Sequence, residues 1–161
     1  MALKGDRFEG IHDIKHFMNE VAERGGIAVI STAGSGAALD QSANLVTYAA
    51  SPSGKVPVGI LLGDMVNKDL TRQHLNFQKN ETQKGGKVTL LKEGYVNTNM
   101  LYPGQTFAGG DGAYVGNSGL ITNVGPNSLN AGRWIGEFET SKDEDGYATV
   151  YVKLPARQGG A

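Results

Sequence analysis

The 161-residue sequence contains no cysteine, which excludes a thiol nucleophile, a zinc–thiolate centre, an iron–sulfur cluster and any disulfide framework. Nor is there an excess of one charge: 15 Lys plus Arg stand against 16 Asp plus Glu, a net charge of −1. The broad positive field that draws a protein onto phosphate backbones is therefore missing, and nucleic acid is not an expected partner. No apolar stretch approaches the roughly 20 residues of a membrane-spanning helix, and Met1–Gly10 lacks the apolar run of a signal peptide. The expectation is a protein made in the cytosol with no membrane partner. Aromatic residues make up only 7% of the chain and charged residues 19%. Glycine is the exception to this scarcity, with 24 copies, about twice the usual share of ~7% and without a collagen period. Such a chain has many turns. Its length suits one domain, given about 150 residues per domain, and a fold of that size buries a sufficient core without covalent staples.

Ile11, Ile14, Phe17, Met18 and Val21 recur at three- and four-residue spacing, which predicts an amphipathic α-helix over residues 8–24. Gly25 and Gly26 follow as a stop signal. Residues 1–7 are expected to form a flexible arm, 25–155 a single β domain, and 156–161 a loose tail. Within the β domain the apolar runs shorten or alternate with period two. Strands are predicted over 27–32, 45–49, 56–62, 88–91, 95–102, 114–115, 120–124, 134–138 and 147–154, each bounded by Gly, Pro, Asn or Asp. In the last, Ala148, Val150, Val152 and Leu154 face one way and Tyr147, Thr149, Tyr151 and Lys153 the other. The acidic turn Asp143-Glu144-Asp145-Gly146 between 134–138 and 147–154 predicts a hairpin. The stretch 65–81 suits either a helical turn or a strand, with the strand favoured after Arg72.

The search for chemistry returns little. His12 and His16 would lie one helical turn apart, the spacing of a two-histidine zinc site, but no third ligand follows in sequence, so they read as solvated side chains of the polar helix face. Gly34-Ser35-Gly36 follows an apolar run as a dinucleotide loop would, yet neither the helix nor the βαβ repeat follows it. Ser118 lacks the surroundings of a nucleophile elbow, and Asp143, Glu144 and Asp145 read as a solvated turn. Asn80-Glu81-Thr82 matches a glycosylation acceptor but is silent without a secretory signal. No constellation supports catalysis, and neither a cofactor nor a metal is expected.

One resemblance spans most of residues 25–154. Gly26-Ile27-Ala28-Val29, Val58-Gly59-Ile60-Leu61-Leu62, Leu70-Thr71-Arg72-Gln73-His74-Leu75-Asn76-Phe77, Gly85-Gly86-Lys87-Val88-Thr89-Leu90-Leu91 and the closing Ser141–Ala148 together resemble the capsid cement, or head decoration, proteins of tailed bacteriophages. The resemblance implies a mainly β fold, a glycine-rich β-barrel or β-sandwich of the β-tulip kind. To it the periodicity adds the N-terminal amphipathic helix, which those proteins do not share. The resemblance also implies a structural, non-enzymatic virion protein on the capsid exterior, with the major capsid protein as partner, a homo-oligomer (a trimer favoured) and a docking arm within residues 1–7. Arg7 at the arm's end, together with Phe8 and Trp134 as aromatic anchors of the kind enriched at interfaces, are the candidate contact residues. The alternative is a carbohydrate-binding β module of a phage tail or fibre, with Trp134 and the six tyrosines as stacking surfaces.

Overall fold

Val88–Thr98, an 11-residue strand, organises the whole molecule. The computed structural model describes residues 3–4, 8–31, 44–64, 81–82, 84–125 and 131–154. In chain order the strands are β1 (Phe8–Asp13), β2 (Phe17–Met18), β3 (Ala22–Glu23), β4 (Ile27–Ile30), β5 (Leu45–Thr47), β6 (Pro57–Asp64), β7 (Glu81–Thr82), β8 (Val88–Thr98), β9 (Gly112–Val115), β10 (Ile121–Thr122), β11 (Trp134–Phe138) and β12 (Ala148–Lys153). Ten of them form one sheet in the order β10-β9-β11-β12-β8-β6-β4-β5-β2 with β1 added on β8, while β3 and β7 pair separately.

The register shows how β8 serves three partners. Residues 93–98 pair with β12, residues 88–91 pair with β6, and residues 90–95 pair with β1. A strand has only two edges, so β12 and β6 share one in succession and β1 takes the other. The backbone can come this close because residue 94 is glycine: it holds φ +145°, and a Cβ there would run into the carbonyl of Phe8.

The mainly β expectation holds, as does the predicted hairpin, with Gly136, Glu137 and Phe138 opposite Val152, Tyr151 and Val150. The Asp143 carboxylate organises its turn, accepting from the backbone N–H of Asp145 at 3.0 Å and of Tyr147 at 2.8 Å. Two expectations are corrected. The sheet is not closed into a barrel: β2 returns to residues 85–88 only through an isolated bridge between Phe17 and Lys87 and single backbone hydrogen bonds.

The second correction is the helix. Residues 8–24 form β1, β2 and β3 instead. Ladder pairing with β8 and β5 overrides the local 3.6-residue period. Gly10 costs a helix interior about 1 kcal/mol, and the Asp13 side chain accepts the Lys15 N–H at 3.0 Å, a local bond that competes with helix formation. Met18 is buried as the periodicity requires, whereas Ile11, Ile14 and Val21 are turned to solvent.

The core has two parts. Ile27, Val29, Ile60, Leu62 and Leu91 join Phe107, Ile121, Ile135, Phe138, Val150 and Val152 in the larger one. Ala28, Leu61, Leu90, Val46 and Met18 form the smaller one on the opposite face. The middle strands are thus apolar on both faces, which is why β4 and β6 read as unbroken aliphatic runs. The first described residues belong to the body as well. Leu3 is 1% exposed in the larger core and pairs with Thr98, and Lys4 Nζ sits 2.8 Å from Asp143 Oδ2 and 4.5 Å from the centre of the Tyr147 ring. Among the described residues no helix is long and apolar enough to cross a membrane.

Candidate docking face

Strand alternation fixes which side chains leave the core. Along β9 the core takes Ala113 and Val115, along β11 Ile135, along β12 Val150 and Val152, and along β8 Val96. Their neighbours Tyr114, Trp134, Tyr151 and Tyr95 consequently point to the other side of the sheet. Register then aligns them. Trp134 stands opposite Tyr114. Tyr151 stands opposite Tyr95, and Tyr95 opposite Phe8. Directly opposed residues share a face, so Tyr151, Tyr95 and Phe8 form one aromatic row across β12, β8 and β1. The Phe8 and Tyr95 rings are stacked, with centroids 5.8 Å apart and planes 26° from parallel. The Tyr151 hydroxyl donates to Glu93 Oε1 at 3.4 Å.

The row ends at solvent. Phe8 is 56% exposed, Ile11 52%, Ile14 48% and Val21 54%, so β1 and the connections between β1, β2 and β3 carry large apolar side chains in the open. Among the described residues β1 pairs only with β8, which leaves its outer edge as a template for a further strand. An open apolar edge of this kind marks an interaction surface on a folded protein.

Of the three residues singled out from sequence, Phe8 lies at the outer end of the aromatic row. Trp134 is half-buried on the same side, with β12 and β8 between it and β1, so the two are not brought together. Arg7 lies outside the described residues, as do Gly34-Ser35-Gly36, Arg72-Gln73-His74 and Asn80. Tyr95, Tyr151 and Ile11 were missed as contact candidates. Tyr151 was legible as outward-facing from the alternation of β12, but its meeting with Tyr95 and Phe8 requires the register.

The other candidates resolve as follows. Ser118 sits in a 3-10 turn, Asn117–Gly119, with φ 53°, and its N–H donates to the Ala49 carbonyl at 2.6 Å. Asp111, which the sequence did not single out, accepts from the Asn123 amide and the Ala108 N–H, at 2.9 and 3.0 Å, and these bonds hold its carboxyl below the usual range. His12 and His16 lie on and beyond a strand, and among the described residues no group of three His, Asp or Glu is placed to hold a metal ion.

A groove of about 500 Å³ lies beside β4 and β5, lined by Asn19, Glu20, Ile30, Tyr48 and Lys55 among others. Glu20 Oε1 accepts from the Thr47 hydroxyl at 2.7 Å and the Tyr48 N–H at 2.5 Å. The Tyr48 hydroxyl accepts from the Gly26 N–H at 3.1 Å and donates to the Glu23 carbonyl. Burial, reinforced by Glu20 and Glu23, pushes this phenol well above its ordinary value.

No protein-family model matches the chain, and no curated protein matches it.

Proposed function

We propose that the chain is a non-enzymatic docking protein that binds the outside of an expanded phage capsid and stabilises it. The reading is supported above all by the apolar edge of β1, which among the described residues pairs only with β8 and where Phe8 and Ile11, with Ile14 just beyond, reach solvent. An exposed strand edge offers its N–H and C=O groups to another polypeptide strand, with side-chain pockets alongside for selectivity. A protein surface, in this reading a strand of the major capsid protein, satisfies it better than a glycan does. Binding restricted to the expanded shell adds its free energy to that state, and copies acting in parallel need only modest individual affinity. Incubation with undecorated expanded capsids tests the proposal: saturable binding with a gain in shell heat resistance is expected, and the absence of both overturns it.

The carbohydrate reading retains one observation of its own, the outward pair Trp134 and Tyr114, which offers two rings to a sugar face. Glycan binding abolished by Trp134→Ala but untouched by Phe8→Ala would favour it over capsid docking.

A further inference from the structure

Where β1 ends and the chain turns towards β2, three charged groups surround a buried histidine. His16 is 6% exposed, and its Nδ1 has no hydrogen-bond partner. Asp13 Oδ1 lies 3.3 Å from that nitrogen, within ion-pair range but outside hydrogen-bond geometry, and the same oxygen already accepts the Lys15 N–H. Asp13 Oδ2 faces Lys92 Nζ of β8 at 3.4 Å and Lys15 Nζ at 3.8 Å. On the next element, Lys87 pairs with Phe17 and holds its Nζ 5.9 Å from the centre of that ring. The backbone is fastened at the same point, because the Val88 N–H donates to the His16 carbonyl at 3.0 Å.

With His16 neutral, one carboxylate faces two ammonium groups. A proton on His16 adds a third cation, on a side chain that, like that of Asp13, is largely shut off from water. Burial holds the imidazole below its ordinary value; Asp13 opposes that shift, while Lys15 and Lys92 add to it. Burial works against the Asp13 carboxylate too, but the Lys15 N–H, His16 and Lys92 outweigh it and hold that group below the usual range. The signs then separate two windows. A docked His16 that resists protonation is penalised as pH falls below about 6.5, where the detached segment takes up its proton. Asp13 begins to lose its stabilising contribution only below about 3.9. Between those limits the penalty falls on His16 and not on Asp13.

We propose that His16 is an acid-responsive latch: its protonation loosens residues 8–18 from β8 and so withdraws the docking face that β1 carries. The regulatory part rests on the reading of β1 as the docking strand, whereas the opening itself does not.

Hydrogen exchange of the whole chain at pH 7.5 and 5.5, corrected for intrinsic rates, tests the latch. Peptides covering residues 8–18 are expected to open at least about threefold more at pH 5.5, while β12 stays unchanged. His16→Gln should abolish the difference. Should that variant fail to fold, Lys92→Met, which removes one of the facing cations, should reduce it. An equal rise in 8–18 and β12, no rise at all, or a full rise in the foldable variant would overturn the latch. Capsid binding separates the two readings. No binding at pH 7.5 overturns docking, whereas binding equally strong at both pH values, with the exchange response intact, overturns regulation.

Discussion

Phe8 lies against Tyr95 across the β1–β8 ladder, 5.8 Å between ring centres, and this contact carries the aromatic row to the edge of the sheet. Because Phe8 remains 56% exposed, Phe8→Ala should cost little stability, about 1 kcal/mol or less. A double-mutant cycle with Tyr95→Ala should return a coupling of about 0.5–1.5 kcal/mol in denaturant unfolding. The same single substitution should weaken capsid binding at least tenfold, a loss of about 1.4 kcal/mol.

Leu3 behaves oppositely. Buried in the larger core and paired with Thr98, it ties the start of the chain to the last rung of β8. Leu3→Ala should destabilise by about 2–5 kcal/mol, measured by urea unfolding, with a matching fall in Tm. A stability unchanged by this substitution would mean that the first residues do not pack as described.

Gly94 and Gly146 form a matched pair for testing the β8 crossing. Both have positive φ, +145° and +84°, but a Cβ on Gly94 strikes the Phe8 carbonyl while one on Gly146 meets nothing within 4 Å. Gly146→Ala should cost about 1–2 kcal/mol, the strain of the left-handed backbone alone. Gly94→Ala adds a backbone collision and should cost about 3 kcal/mol or more, with hydrogen-exchange protection lost first in β1.

Tyr48 gives a prediction at alkaline pH. Its hydroxyl bonds to Gly26 and Glu23, and its ionisation is pushed upward by burial. The folded state holds this phenol neutral while the unfolded chain ionises near pH 10, so stability is full below that pH and falls as pH rises beyond it. In an absorbance titration Tyr48 should ionise only together with unfolding. Tyr48→Phe should cost about 1–3 kcal/mol by stranding the Gly26 N–H and the Glu23 carbonyl.

Much of the β architecture is legible in the residue pattern, and the reasons are local. Unbroken aliphatic runs at Ile27–Ile30 and Ile60–Leu62 mark strands buried on both faces, and the acidic turn with Gly146 marks the β11–β12 hairpin. The N-terminal segment misleads because Ile11, Ile14, Met18 and Val21 fit a helical stripe by spacing, while β8 supplies a ladder partner from about eighty residues away in sequence. No local rule weighs such a contact, as tertiary pairing routinely overrides propensity. The same blindness hid the site. Phe8 stood out only as an aromatic of the kind enriched at interfaces, and the row it completes with Tyr95 and Tyr151 exists only once the registers of two ladders are known. The approach of Lys92 to the Asp13 carboxylate, on whose other oxygen His16 borders, is likewise a product of pairing between distant strands.

The central claim is that the β1 edge is the surface by which this chain adheres. Its most direct test is a binding isotherm of the intact protein on undecorated expanded capsids, run beside a Phe8→Ser, Ile11→Ser double variant shown by circular dichroism to be folded. The account predicts saturable binding by the intact chain and a loss of at least about tenfold in the variant. Equal binding by both proteins, or none by the intact chain, would contradict it.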